Sequence, residues 1–94
     1  MSIDARLQLF LEELRAQCEL YGSLEFTFDR EYWDPLWQPW FIYVGENALH
    51  FTSTDISEED LTILSNLAYI HELEAIKPLQ DASDVKSGCF RLLI

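Results

Sequence analysis

Basic side chains are scarce. Lys and Arg number 6 against 17 Asp and Glu, for a formal charge of -11. Six cations cannot neutralise a row of phosphates, so direct nucleic-acid binding through a basic face is excluded. Cysteine occurs twice, as Cys18 and Cys89, too few for a disulfide framework. The expected state is two buried thiols in a reducing cytosol, although the spacing leaves open a single bridge closing the termini. Long apolar runs are missing as well. The longest uncharged stretches, Pro35 to Gly45 and Leu61 to His71, have 11 residues each and cannot span a bilayer. The N-terminal MSIDARLQLFLEELR meets charge at Asp4, Arg6 and Glu12, which is not the pattern of a signal peptide. No Asn-x-Ser/Thr acceptor occurs. The expectation is a cytoplasmic protein without membrane contact.

Against these absences stand 94 residues of which 49% are apolar and 14% aromatic. That composition excludes a disordered acidic tail and fits one compact domain over residues 1–94. Glycine and proline number three each, and there are no repeats or low-complexity segments.

Residues 3 to 21 read as an amphipathic helix. Leu7, Phe10, Leu11, Leu14, Cys18 and Tyr21 share one face, and Gly22 stands where a left-handed C-cap belongs. Glu12, Glu13, Arg15, Gln17 and Glu19 lie largely away from that stripe. Leu24 to Asp29 alternates strictly, as a half-buried strand does. Residues 32 to 39 carry two prolines and form a connection. Trp40 to Val44 is a second strand, Gly45 to Asn47 a turn, and Ala48 to Thr52 a third strand. Ser57 is a good N-cap, with Asp60 at the capping-box position and Ile56 and Leu61 as a hydrophobic staple. Beyond Leu67 the apolar positions wander, which fits either an end near Ala68 or a helix buried on two sides. The long helix, running to Ile76 and stopped by Pro78, is the expected form. Leu79 to Gly88 reads as polar loop and Cys89 to Ile94 as a last strand. The fold class is α+β, in the order α-β-β-β-α-β. A small antiparallel sheet of about four strands carries both helices on one face.

Nothing in the chain spells out a reaction. His71-Glu72-Leu73-Glu74-Ala75 begins like a zincin helix but lacks the second histidine. No glycine-rich phosphate loop is present, and Cys18 sits on the apolar stripe, where burial keeps a thiol inert. The expectation is no catalytic residue, no metal and no cofactor.

Two features rise above this background. Between Arg30 and Lys77 lie 46 residues with no base and nine acids: Glu31, Asp34, Glu46, Asp55, Glu58, Glu59, Asp60, Glu72 and Glu74. Ordinary surfaces intersperse signs, so this segregation reads either as solubility or as a field directed at a basic partner. Within the same stretch Tyr32, Trp33, Trp37, Trp40, Phe41 and Tyr43 crowd into 12 residues. Trp40, Ile42 and Val44 face one way and can enter the core, whereas Phe41 and Tyr43 face the other. Trp33 and Trp37, among acids and prolines, have the character of interface anchors.

The function expected from these features is that of an acidic inhibitor masking a basic surface, such as that of a nucleic-acid-binding protein. Phage anti-defence and immunity-type proteins share this physical profile. Glu31, Trp33, Asp34, Trp37, Glu46, Asp55, Glu58, Glu59 and Asp60 are the expected contact residues. The alternative is a non-catalytic structural or adaptor subunit docking through its aromatic patch. The sequence leaves homodimerisation open.

Overall fold

The computed structural model describes residues 3–32, 34, 36, 38–52, 56–79 and 82–93. Helix α1 spans Ala5–Tyr21. The Asp4 carboxylate caps it, accepting the Leu7 N–H at 3.0 Å. Gly22 ends it at φ 76°, a left-handed conformation open to glycine without a steric penalty. The residues α1 buries are Leu7, Phe10, Leu11, Leu14 and Cys18, the face assigned by the 3.6-residue period. Tyr21, at the end of that stripe, is exposed.

Five strands follow, interrupted by helix α2 (Glu58–Asn66): β1 (Glu25–Glu31), β2 (Trp40–Val44), β3 (Asn47–Ala48), β4 (Ile70–Leu79) and β5 (Ala82–Leu92). They form one antiparallel sheet in the order β3-β2-β1-β5-β4. The fold is the expected α+β class with the expected order of elements. The closing strand is a pair, so the sheet has five strands instead of about four.

Alternation along the strands sends Phe26, Phe28, Ile42, Val44, Ile70, Phe90 and Leu92 toward the helices. There they join the α1 face, Leu61 and Leu64 of α2, and Leu49 and Ile56 in one apolar cluster. Trp40 packs against that cluster, its ring 6.3 Å from Phe28 and 6.4 Å from Phe10. The opposite sheet face, with Thr27, Asp29, Phe41, Tyr43, Ser87 and Cys89, is only half-buried, as one side of an antiparallel sheet can be.

Three local expectations are corrected. First, α2 does not run to Ile76. Its C-cap is Leu67, and Ala68 takes φ 63°. The Tyr69 N–H reaches the Leu64 carbonyl at 3.0 Å and the Ala68 N–H reaches that of Ser65 at 3.1 Å. This is a Schellman motif with alanine where glycine is usual, so the stop carries no glycine signal. A left-handed alanine costs about 1–2 kcal/mol, part of which glycine would return as extra freedom of the unfolded chain. Ala68→Gly is therefore expected to stabilise the protein by about 0.5–1 kcal/mol, a rise of a few degrees in melting temperature. A lower melting temperature in calorimetry would show that the alanine is unstrained.

Second, the strand expected over Ala48 to Thr52 stops at Ala48, because side chains of α1 take over its backbone partners. Gln17 accepts the His50 N–H at 2.8 Å and donates to the His50 carbonyl at 2.5 Å. The Glu13 carboxylate accepts both the N–H and the hydroxyl of Thr52. Glu13 and Gln17, one helical turn apart, thus clamp this segment to α1 rather than facing water.

Third, the segment expected as loop before Cys89 is strand from Ala82. Val85 to Gly88 pair with Glu31 to Phe28, and the polar Ser87 turns its hydroxyl to Asp29 at 2.6 Å on the half-buried face. Gly88 is needed there. A Cβ on it would lie 2.6 Å from the Ile76 side chain and 3.0 Å from the backbone of Glu74 and Ile76.

Candidate functional site

The first turn of α2 is built as its sequence implies. The Ser57 hydroxyl accepts the Asp60 N–H at 3.1 Å, and the Asp60 carboxylate accepts the Ser57 N–H at 2.9 Å. The capping box closes with aspartate in place of glutamate, and Ile56 and Leu61 are both buried beside it. Glu58, Glu59 and Asp60 occupy the positive end of the helix dipole.

Asp60 nevertheless does not belong to the acid surface. Arg6 of α1 grips it with two parallel bonds of 3.0 Å, and its side chain is only 13% exposed. The Arg6 bond holds its carboxyl below the usual aspartate range; burial opposes this, and the two bonds with Ser57 reinforce it. Its role is to tie the two helices together.

Glu58 and Glu59 are placed differently. The Tyr32 hydroxyl donates to Glu58 at 3.1 Å, and the Lys86 ammonium stands 5.2 Å from the centre of the Tyr32 ring. Arg30 donates to the carbonyls of Gln38 and Ile56, each at 2.6 Å. Arg30 and Tyr32 therefore sew the segment leaving β1 to the start of α2. A cleft lined by Arg30, Tyr32, Gln38, Ser57, Glu58 and Glu59 lies between them. Arg30 was not among the expected site residues. Its one visible sign is its position as the last Lys or Arg before the 46 residues that hold nine acids and neither of those bases.

The remaining expected residues scatter. Asp34 is exposed and accepts the Leu36 N–H at 2.7 Å in an Asx-type turn that leaves Leu36 97% exposed. Glu31 ends β1 on the half-buried face, where it and Asp29 add to burial in raising the Tyr43 phenol. Glu46 lies in the β2–β3 turn at the opposite end of β1, about 20 Å away by strand rise. Trp33, Trp37 and Asp55 lie outside the described residues.

Phe41 and Tyr43 sit together on the half-buried sheet face, ring centres 6.4 Å apart. Cys89 is on that face, 3.6 Å from the Thr27 hydroxyl. Cys18 is fully buried, and burial raises its thiol. The two cysteines are unbonded. The stretch His71 to Ala75 is strand, not helix, so the spacing that began like a zincin has no meaning here. Among the described residues no three His, Cys, Asp or Glu side chains converge as metal ligands would, and no helix is long and apolar enough to cross a membrane. Comparison with protein-family models, with curated proteins and with solved structures finds no match.

Proposed function

We propose that this is a cytoplasmic, non-catalytic binding protein that masks a basic, nucleic-acid-binding surface of a partner protein, an inhibitor of the anti-defence or immunity type. The observation that carries this reading is the joining of the acidic start of α2 to the segment leaving β1 through Tyr32–Glu58 and the two Arg30 bonds. Glu58 and Glu59 then stand beside the segment that carries Glu31 and Asp34, and carboxylates at that end can stand in for phosphates against Lys and Arg. Two of the bases are neutralised by carboxylates, whereas Arg30 and Lys86 keep their charge beside this end and offset part of its field. Arg6 is committed to Asp60 and Arg15 to Glu19, while Arg30 bonds backbone and Lys86 lies over a ring.

Because Asp60 holds the helices together, the informative charge reversal is Glu58→Lys with Glu59→Lys alone. With a partner captured from host lysate, this double variant is expected to slow association and flatten its dependence on salt. Trp37→Ala, as an anchor, should mainly hasten dissociation and weaken binding by about 2 kcal/mol. An unchanged association rate and salt slope for the double variant would remove the acidic end from the interface.

A second reading, an adaptor subunit, is favoured by the Phe41–Tyr43 pair on the half-buried sheet face. Salt separates the two. A masking protein releases its partner between about 0.15 M and about 1 M NaCl, whereas an aromatic dock holds.

A further inference from the structure

Between α2 and β4 runs a groove of about 290 Å³. At its bottom lie Leu61 and Phe90, both almost wholly buried, with the half-buried Ile76 and the exposed Ala75 offering the open apolar surface. The lack of a side chain at Gly88 lets Ile76 settle there. Its walls carry two carboxylates from separate elements, Glu58 of α2 and Glu72 of β4, beside the polar Thr62, Ser65 and Asn66, and among the described residues no Lys or Arg lines it. Glu58 also borders the cleft with Tyr32 and Glu59, so one carboxylate is shared by the groove and the acidic end described above.

Resting on the masking function proposed above, we infer that this groove receives an extended cationic segment of the partner protein, one that alternates Lys or Arg with aliphatic side chains. The chemistry of the two surfaces selects that occupant. Aliphatic groups and the methylene stems of Lys cover the floor, while the cationic heads reach the carboxylates on either wall. A second copy of this chain fits poorly, because each copy carries a charge of -11. Addition of the segment as a sixth strand on β4 is also disfavoured. The β4 ladder shifts register between Glu72 and Glu74 and again before Lys77, and Pro78 lacks a backbone donor. Side chains seated in the groove, rather than a continued ladder, make the contact.

The test uses the full chain and two synthetic peptides of equal length and charge, one alternating Lys with Leu and one alternating Lys with Gly. The Lys–Leu peptide is expected to bind about tenfold tighter, since burying even one leucine supplies that factor. Amide shifts in the labelled protein should concentrate at Thr62, Ser65, Glu72, Ala75 and Ile76. Ala75→Lys, at an exposed position that tolerates a long side chain, should weaken this peptide about tenfold by placing a cation on the floor. Glu72→Gln should weaken it about threefold, and Glu12→Gln, on the exposed face of α1, should leave it unchanged. Melting curves confirm that each variant is folded. Equal affinity for the two peptides, or indifference to Ala75→Lys, overturns the groove and leaves the acidic-end reading standing. Failure of both peptides to bind at low ionic strength overturns both readings.

Discussion

Phe10→Ala is expected to cost about 3–5 kcal/mol of folding free energy. Phe10 is fully buried on α1 and makes the meeting point of three parts of the chain. Its ring lies 5.0 Å from Phe51, in the segment clamped by Glu13 and Gln17, and 6.4 Å edge-on from Trp40 of β2. Trp40 in turn touches Phe51 at 5.6 Å and stacks over Phe28 of β1. Removing Phe10 opens a ring-sized void in which the facing groups are themselves rings, which cannot collapse inward as flexible chains do. A domain of this size is stabilised by roughly 5–15 kcal/mol, so the variant should lose about a fifth or more of the total. Urea unfolding at constant m-value measures it. Leu20→Ala, at a position 74% exposed, is the control and should stay within about 0.5 kcal/mol. A Phe10→Ala loss as small as the control's would mean that α1 is not docked on this aromatic cluster.

Asp60→Ala should cost about 2–3 kcal/mol, through loss of a helix cap and of a charge-assisted double bond. An exposed ion pair would contribute less than about 1 kcal/mol, but the Asp60 carboxylate is largely shielded and satisfies the Ser57 N–H as well as Arg6. Its loss removes the acceptor of the Ser57 N–H and leaves Arg6 the more distant Asp4 carboxylate, 3.9 Å away. The pH dependence has a definite sign. The Asp60 carboxyl in the folded protein titrates below that of the unfolded chain, so the unfolded state takes up the proton first. Its stabilisation is complete above the unfolded value and is lost as pH falls through the lowered folded value. The gap between wild type and Asp60→Ala should therefore be full near neutrality and close under acid, whatever general relief of acid repulsion both proteins share. Glu59→Ala, at an exposed neighbour, should show neither effect. Equal costs for Asp60→Ala and Glu59→Ala, measured by urea unfolding across pH, would return Asp60 to the open acid surface.

Those two residues mark the boundary between what is local and what is not. Elements with a strong one-sided pattern were legible in the chain. Helix α1 follows from Leu7 to Cys18 recurring at helical spacing and ending at Gly22, and β2 from the Trp40, Ile42, Val44 alternation. The start of α2 follows from Ser57, Asp60 and the Ile56–Leu61 staple. Strand β4 was illegible because it is exposed nearly throughout, with only Ile70 buried and Ile76 half-buried, so no alternation marks it. It therefore reads as a continuation of the helix before it, the more so because the turn at Ala68 is made by a residue that favours helices. The first half of β5 was hidden by Ser83, Asp84, Ser87 and Gly88, turn formers by type. Ser87 and Gly88 are held in the sheet by pairing with β1, 58 residues away at Asp29–Ser87.

The acidity, the aromatic crowding and the α+β class belong to the sequence alone, because charge, composition and hydrophobic period are sums over residues and need no neighbours. Which acids meet is a matter for the tertiary structure. Arg6 lies 54 positions from Asp60 and withdraws it from the surface; Arg30 and Tyr32, each 26 positions from its partner at the start of α2, bring Glu58 and Glu59 beside the segment leaving β1. Contacts at such separations carry no periodicity in the chain. They exist only once the closing of long loops has been offset by burial of the common core.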